Sequence, residues 1–369
     1  MKAERDIAGI ALPFIAGVAV SVYAGTIYPW QAVLSCIAVA AFTSILMSPS
    51  GRALGRPVQW AIIIALMAFC GHLTGLTGRM LALSRSVEAG WLEQKALDMC
   101  MRMEAAIDAI PFEKEATGQI IKALLTGERS GIPKEVTAAF RESGASHILA
   151  LSGLHLGIIY GIIRGLLSIL GNSATIKRIR SLLAIAICGF YTIATGAGAS
   201  IVRAYLFIVI GEYASLRHIR LTLPTIFLTA MTMQIFFSPD SIRDVGFQLS
   251  YAAIAGIAFI FPWLKGFWPG ERRKDAVLTK GARWIWDSAA MSISCQITTG
   301  PIAYYYFRSF PMHFILTNMI AIPLTSMIIP AALLTLALSC IGWCPTMMLR
   351  ATEWLVTALS EALSIIAAM

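Results

Sequence analysis

The sequence predicts an all-α, polytopic integral membrane bundle of about 10–11 transmembrane helices with amphipathic surface helices, and three observations predict it. Only 13% of the 369 residues are charged, while 57% are hydrophobic and mean hydropathy is +0.74. Soluble domains carry about 25% charged residues. Apolar runs near the roughly 18–20 residues that cross a bilayer as helix recur along almost the whole chain. Lys and Arg gather in alternate connections, as short cytoplasmic loops require.

The runs are 7–27, 30–47, 58–78, 147–170, 181–197, 200–216, 221–237, 244–263, 284–306, 313–339 and 346–367. The first stands behind Lys2 and Arg5 as a signal peptide would, yet it is longer than an h-region and further runs follow, so it reads as an uncleaved first helix. Pro323 and Pro330 interrupt the tenth, and the eleventh closes the chain at Met369. With the N-terminus inside, the inner connections hold Lys2, Arg5, Arg52, Arg56, Lys177, Arg178, Arg180, Arg217, Arg220, Lys265, Arg272, Arg273, Lys274, Lys280 and Arg283. The short outer ones hold Arg243 and Arg308. The net charge of +9 is therefore mostly topological, and the pI of 9.3 is no evidence of nucleic-acid binding.

Three stretches follow: N-terminal spans over 1–80, an extracytoplasmic amphipathic helical segment over 81–146, and a transmembrane core over 147–369. The long connection, counted from residue 79, holds nine basic and ten acidic residues, so it is neither a polybasic arm nor an acidic tail. LEQKALDMCMRMEAAIDAI has helical periodicity. Gly127 and Gly131 then bracket a break, Pro133 suits the first turn of a new helix and Gly144 its stop. The segment runs along the outer membrane surface, either as a mouth or as packed connecting helices. Of seven cysteines only Cys100 lies in it, and no metal-ligand spacing occurs, so no metal and no cofactor is expected.

The run HILALSGLHLGIIYGIIRGLL carries polar groups that a lipid-facing helix does not need. Gly153, Gly157, Gly161 and Gly165 recur every four residues, a stripe of small positions expected to admit a neighbouring helix closely. Ser152 and His155 share a face beside it. Ionisable groups within a membrane face a bundle interior or a wet cavity. His155 is therefore either satisfied by another helix or set toward a wet path, with His147 solvated at the interface. Arg203 lies one turn into a run, Asp244 and Gln248 share a face at the outer end of another, and Gln296 and Asn318 precede Pro301 and Pro323. Such broken spans need protein or water over the freed backbone groups. A polar interior biased toward the outer half is expected.

ALLTGERSGIP, FRESGASHILALSGLHLG, SIVRAYLF, DVGFQLS and the late Q-x-x-x-x-P and N-x-x-x-x-P segments, in this order over about 115–330, resemble the membrane core of the ComEC competence proteins. The resemblance implies a channel that moves single-stranded DNA across the cytoplasmic membrane in natural transformation. The positions it implies are His147, Ser152, Gly153, His155, Arg203, Asp244, Gln248 and Asn318. It also implies membrane lipid around the chain, a separate DNA receptor on the outer side, and a cytoplasmic ATP-driven helicase or ssDNA-binding protein. Longer relatives carry an OB-like domain and a metallo-β-lactamase-like domain with an H-x-H-x-D-H cluster. Here the stretch after the third run is too short for an OB barrel and no such cluster occurs in the sequence. A short form, complete or cut from a longer frame, with a separate nuclease and no enzymatic activity of its own, is expected.

A single strand binds best in a positive groove with aromatic faces. Arg203, Arg308, Tyr304, Tyr305, Tyr306 and Phe307 are candidates, although the aromatic run also fits an interfacial belt and Arg203 also fits a strut with Asp244. No P-loop pattern occurs, so ATP hydrolysis through that motif is excluded. A small-solute or ion transporter would show similar broken helices. An intramembrane hydrolase built on Ser152 and His155 is disfavoured, because the two share one helix and no third group orients the base.

Overall fold

The computed structural model describes residues 2–24, 28–84, 90–171, 173–268, 277–308 and 312–369. Arg272, Arg273 and Lys274 lie outside them. Helix is the one regular structure among the described residues. The helices are α1 (Lys2–Tyr23), α2 (Pro29–Met47), α3 (Pro49–Ala53), α4 (Arg56–Ser84), α5 (Trp91–Asp108), α6 (Glu115–Thr126), α7 (Lys134–Glu142), α8 (Ser146–Leu149) and α9 (Gly153–Leu167). They continue as α10 (Ala174–Ala194), α11 (Ala199–Leu216), α12 (Leu223–Phe237), α13 (Val245–Ala255), a π-helical turn (Gly256–Ile260), α14 (Phe261–Lys265), α15 (Val277–Phe307), α16 (Phe314–Cys340) and α17 (Thr346–Ala367).

Seven described segments are long and apolar enough to cross a membrane: Glu4–Tyr23, Trp30–Met47, Arg56–Leu81, Gly153–Leu170, Ala199–Leu216, Val245–Lys265 and Phe314–Cys340. The all-α membrane bundle stands, with fewer helices meeting both criteria than the eleven runs expected. The difference lies in composition. α10 opens with Lys177, Arg178 and Arg180, α15 carries Gln296, Thr298 and Thr299, α17 carries Arg350, Glu353 and Glu361, and apolar α12 is only 15 residues long.

The chain forms two compact units that interleave in sequence: residues 1–88 with 218–251, and residues 89–217 with 252–369. In the first, α1 lies along α4, with α2 on α4 and α12 on α1. A Cβ at Gly17 would stand 2.0 Å from the Ala68 carbonyl oxygen, and one at Gly71 would stand 2.0 Å from that of Phe14. These glycines bring two backbones into contact, which is how helices gain van der Waals energy where lipid removes the hydrophobic drive. His72 Nδ1 lies 2.9 Å from Ser35 Oγ and ties α2 to α4.

The second unit is built on one large apolar cluster. Ile120, Ile121, Leu124 and Leu125 of α6, Phe140 of α7 and Ile148 and Leu149 of α8 pack with Ile159 of α9, Ile328, Ile329 and Leu336 of α16, and Val356, Leu359 and Leu363 of α17. Parts of α6, α7 and α8 within the 81–146 segment therefore belong to the core of this unit. Residues 120–126 of α6 are buried on all sides, including Lys122, whose Nζ reaches Asp108 at 2.6 Å. α5 keeps the expected amphipathic form, with Ala96 and Cys100 packed on Ala194, Phe190 and Ile193 of α10.

Candidate functional site

The sequence candidates fall in both units. His147, Ser152, Gly153, His155, Arg203, Gln296 and Asn318 belong to the second; Asp244 and Gln248 belong to the first.

In the second unit the start of α9 organises the site. Ser152 has extended backbone (φ −121°, ψ 167°), so the helix begins at Gly153. The Ser152 N–H donates to His155 Nδ1 at 3.3 Å. A backbone N–H can only donate, so Nδ1 accepts and the neutral imidazole holds its proton on Nε2. His155 occupies the position of the Glu or Gln in a capping box and is 1% exposed. It is placed as a buried helix cap.

His147 has the opposite tautomer. Its Nδ1 lies 3.1 Å from the Gly144 carbonyl, which can only accept, so the proton sits on Nδ1 and the Nε2 lone pair is left for other partners. The His147 side chain is exposed, lying just before the start of α9.

Gly153 is where α9 meets α11. A Cβ there would stand 2.6 Å from Arg203 Nη2 and 3.3 Å from Ala204 Cβ, so a side chain at this position would displace the guanidinium from the start of α9. Arg203 is 9% exposed. The rest of the stripe behaves otherwise: a Cβ at Gly157, Gly161 or Gly165 meets nothing within 4 Å. The expectation that all four admit a close neighbour is corrected for these three. They are exposed because α10, α11 and α16 pack on other faces of α9.

The sequence reading missed the strongest polar cluster. Glu212 of α11 is 2% exposed and accepts hydrogen bonds from Tyr160 Oη, from Ser181 Oγ at 2.5 Å and from Arg164 Nη1 at 3.2 Å. One carboxylate thus joins α9, α10 and α11. The signal was present as single charges inside apolar runs, Arg164 in GIIRGLL and Glu212 in IVIGEYA.

Asn318 of α16 donates to Ser292 Oγ of α15 at 3.4 Å, and its buried Oδ1 has no hydrogen-bond partner among the described residues. Gln296 is half-buried on α15. Tyr304, Tyr305, Tyr306 and Phe307 are all more than 40% exposed. Four consecutive residues point around the whole helix at about 100° each, so this end of α15 stands clear of its neighbours among the described residues.

In the first unit Asp244 caps α13, its Oδ1 accepting from the Gly246 N–H at 2.6 Å. Gln248 Nε2 donates to the Ile242 carbonyl at 3.0 Å. Arg243 donates to the Val22 carbonyl and lies 5.6 Å over the Tyr23 ring. Asp244 is thus engaged at the start of its own helix.

Two helical units, seven helices fit to cross a membrane and ionisable groups buried among them define a polytopic all-α membrane protein with a polar interior. Residues 124–369 match the Competence protein family model, and the chain belongs to that family. It is 28% identical over 219 residues to ComE operon protein 3 of Bacillus subtilis (strain 168), covering 59% of this chain and 26% of that protein. It is 27% identical over 221 residues to the competence protein ComA of Neisseria gonorrhoeae, covering 58% and 30%. A third relative, the uncharacterized protein YcaI of Escherichia coli (strain K12), is 24% identical over 213 residues, covering 57% and 27%. The matched stretch is under a third of each of these relatives. No solved structure matches.

Proposed function

We propose that this chain is the membrane core of a channel that carries single-stranded DNA across the bacterial cytoplasmic membrane in natural transformation, with its N-terminus in the cytoplasm. The observation that carries this reading is the family match over 124–369, which contains His147, Ser152, Gly153, His155, Arg203, Asp244, Gln248, Gln296 and Asn318. Arg203 supports it, as a buried guanidinium at the end of a span suits a phosphate chain. The exposure of His147 just before α9 supports an entrance beside it. His155 and Gly153 act one step back, the first by starting α9 and the second by giving Arg203 its place. A DNA receptor outside, a helicase or ssDNA-binding protein inside and a separate nuclease complete the reading.

The test is deletion in the host, followed by separate measurement of DNA bound at the surface and of transformants. Surface DNA should persist while transformants disappear and return on complementation. Unchanged transformation with a nutrient or ion phenotype would instead mark a small-solute or ion transporter.

A further inference from the structure

The 81–146 segment was expected to run along the outer membrane surface, but the contacts of the second unit place Lys114 and Ser143 far apart along a membrane helix. At one end, Thr317 of α16 donates to the Ser143 carbonyl at 2.7 Å, three residues past the start of that helix. At the other, the Lys114 N–H donates to Glu353 Oε1 at 2.7 Å, and Lys114 Nζ lies 3.4 Å from Thr357 Oγ1. Glu353 adjoins Thr352, whose hydroxyl is 2.9 Å from that of Thr335 on α16. Thr317 and Thr335 are eighteen residues apart on α16, about 27 Å of helix at about 1.5 Å per residue, against a hydrocarbon layer of about 30 Å. α16 is the most apolar of the seven candidate spans.

Two further contacts fix the direction. Tyr191 Oη, near the end of α10, donates to the Leu125 carbonyl at 2.6 Å, and a Cβ at Gly127 would meet Leu151 just before α9. The C-terminal end of α6 is thus level with the ends of α9 and α10 that the charge pattern puts outside. Its N-terminal end lies about 18 Å deeper, by twelve residues of helix.

We propose that residues 111–143 form a re-entrant element within the membrane layer, and that a water-filled vestibule runs along it from the outer face down to Glu113, Lys114 and Glu115. Those three residues are exposed, and charges at that depth avoid lipid by facing water or protein. The non-helical backbone of 111–114 makes the same demand, since its polar groups have no ladder of their own. Glu353, 8% exposed, holds the floor by taking the first N–H of the returning helix. This inference concerns the route and stands whatever the cargo.

Single cysteines at Glu113 and Ser130 test it in intact spheroplasts, with the parent chain as baseline. Native Cys100 adds little label, being buried with its thiol pushed up to about 11. Ser130→Cys, on the exposed outer loop, should react with both a small anionic methanethiosulfonate and a long polyethylene-glycol maleimide. Glu113→Cys should react with the small reagent and be protected from the polymer. Equal reaction of both positions with the polymer would put residue 113 on the surface and overturn the inference. So would failure of Glu113→Cys to react with the small reagent from outside, whether it is then silent or labelled only in inverted vesicles. Glu115→Cys repeats the measurement should Glu113→Cys lower the protein level.

Discussion

Gly153 and Gly157 look alike in sequence and differ in space. The first abuts the Arg203 guanidinium, while the second meets nothing within 4 Å. Gly153→Leu should therefore lower stability by about 1–3 kcal/mol, the usual cost of overpacking, and Gly157→Leu should leave it unchanged or slightly raised. Thermal unfolding in detergent by tryptophan fluorescence reads both. His155→Gln keeps an acceptor for the Ser152 N–H and should be nearly silent, whereas His155→Ala should cost about 1 kcal/mol for the lost bond and more for the cavity. Equal losses in the two would remove the capping role. The sequence made these residues legible as a polar group at a helix start. It could not say that a cap consumes Nδ1 of His155, because that depends on the backbone angles at Ser152.

At the scale of elements, the knot at Glu212 joins three helices that sequence periodicity treated singly. Glu212→Ala strips the partner from Arg164 and leaves Tyr160 and Ser181 without an acceptor, a loss of about 3 kcal/mol or more. Arg164→Ala should cost less, because the arginine side chain is 36% exposed and solvent screens the pair. A larger loss in Arg164→Ala than in Glu212→Ala would contradict the carboxylate as the centre. α6 shows why local pattern failed elsewhere. EATGQIIKALLT reads as amphipathic, yet from Ile120 onward its polar face is also covered, Lys122 by Asp108 and Thr126 by the Lys122 carbonyl of its own helix. Its burial comes from α5 and α8 together with α16 and α17, and the last two follow some 200 residues later, outside any local window of sequence.

For the whole molecule, the Lys and Arg pattern gives an orientation that one helix can check. Lys280 and Arg308 stand at opposite ends of α15, which the sequence reads as a span and whose Gln and Thr residues dilute its hydropathy. Arg308→Cys should react with an impermeant thiol reagent in intact cells, and Lys280→Cys only after permeabilisation. The reverse would turn the molecule over, and reaction of both in intact cells would remove α15 from the spans. The class of protein was readable from composition and charge alone. The interleaving of the two units was not, since no motif marks that α12 returns to α1 across the intervening α5–α11.

That interleaving makes time part of the structure. A ribosome delivers α1 and α4 first, and their backbones can close at Gly17 and Gly71 at once. The α1 side of the unit then waits through the synthesis of residues 89–217 before α12 emerges. During that interval Ile7, Ile10 and Phe14, which later share a groove with Met233, Phe236 and Phe237, have only lipid or an insertion factor to cover them. A stall between residues 88 and 218 therefore leaves a half-built bundle with an apolar flank open in the bilayer, and membrane quality-control proteases should remove such a nascent chain faster than one stalled after Tyr251.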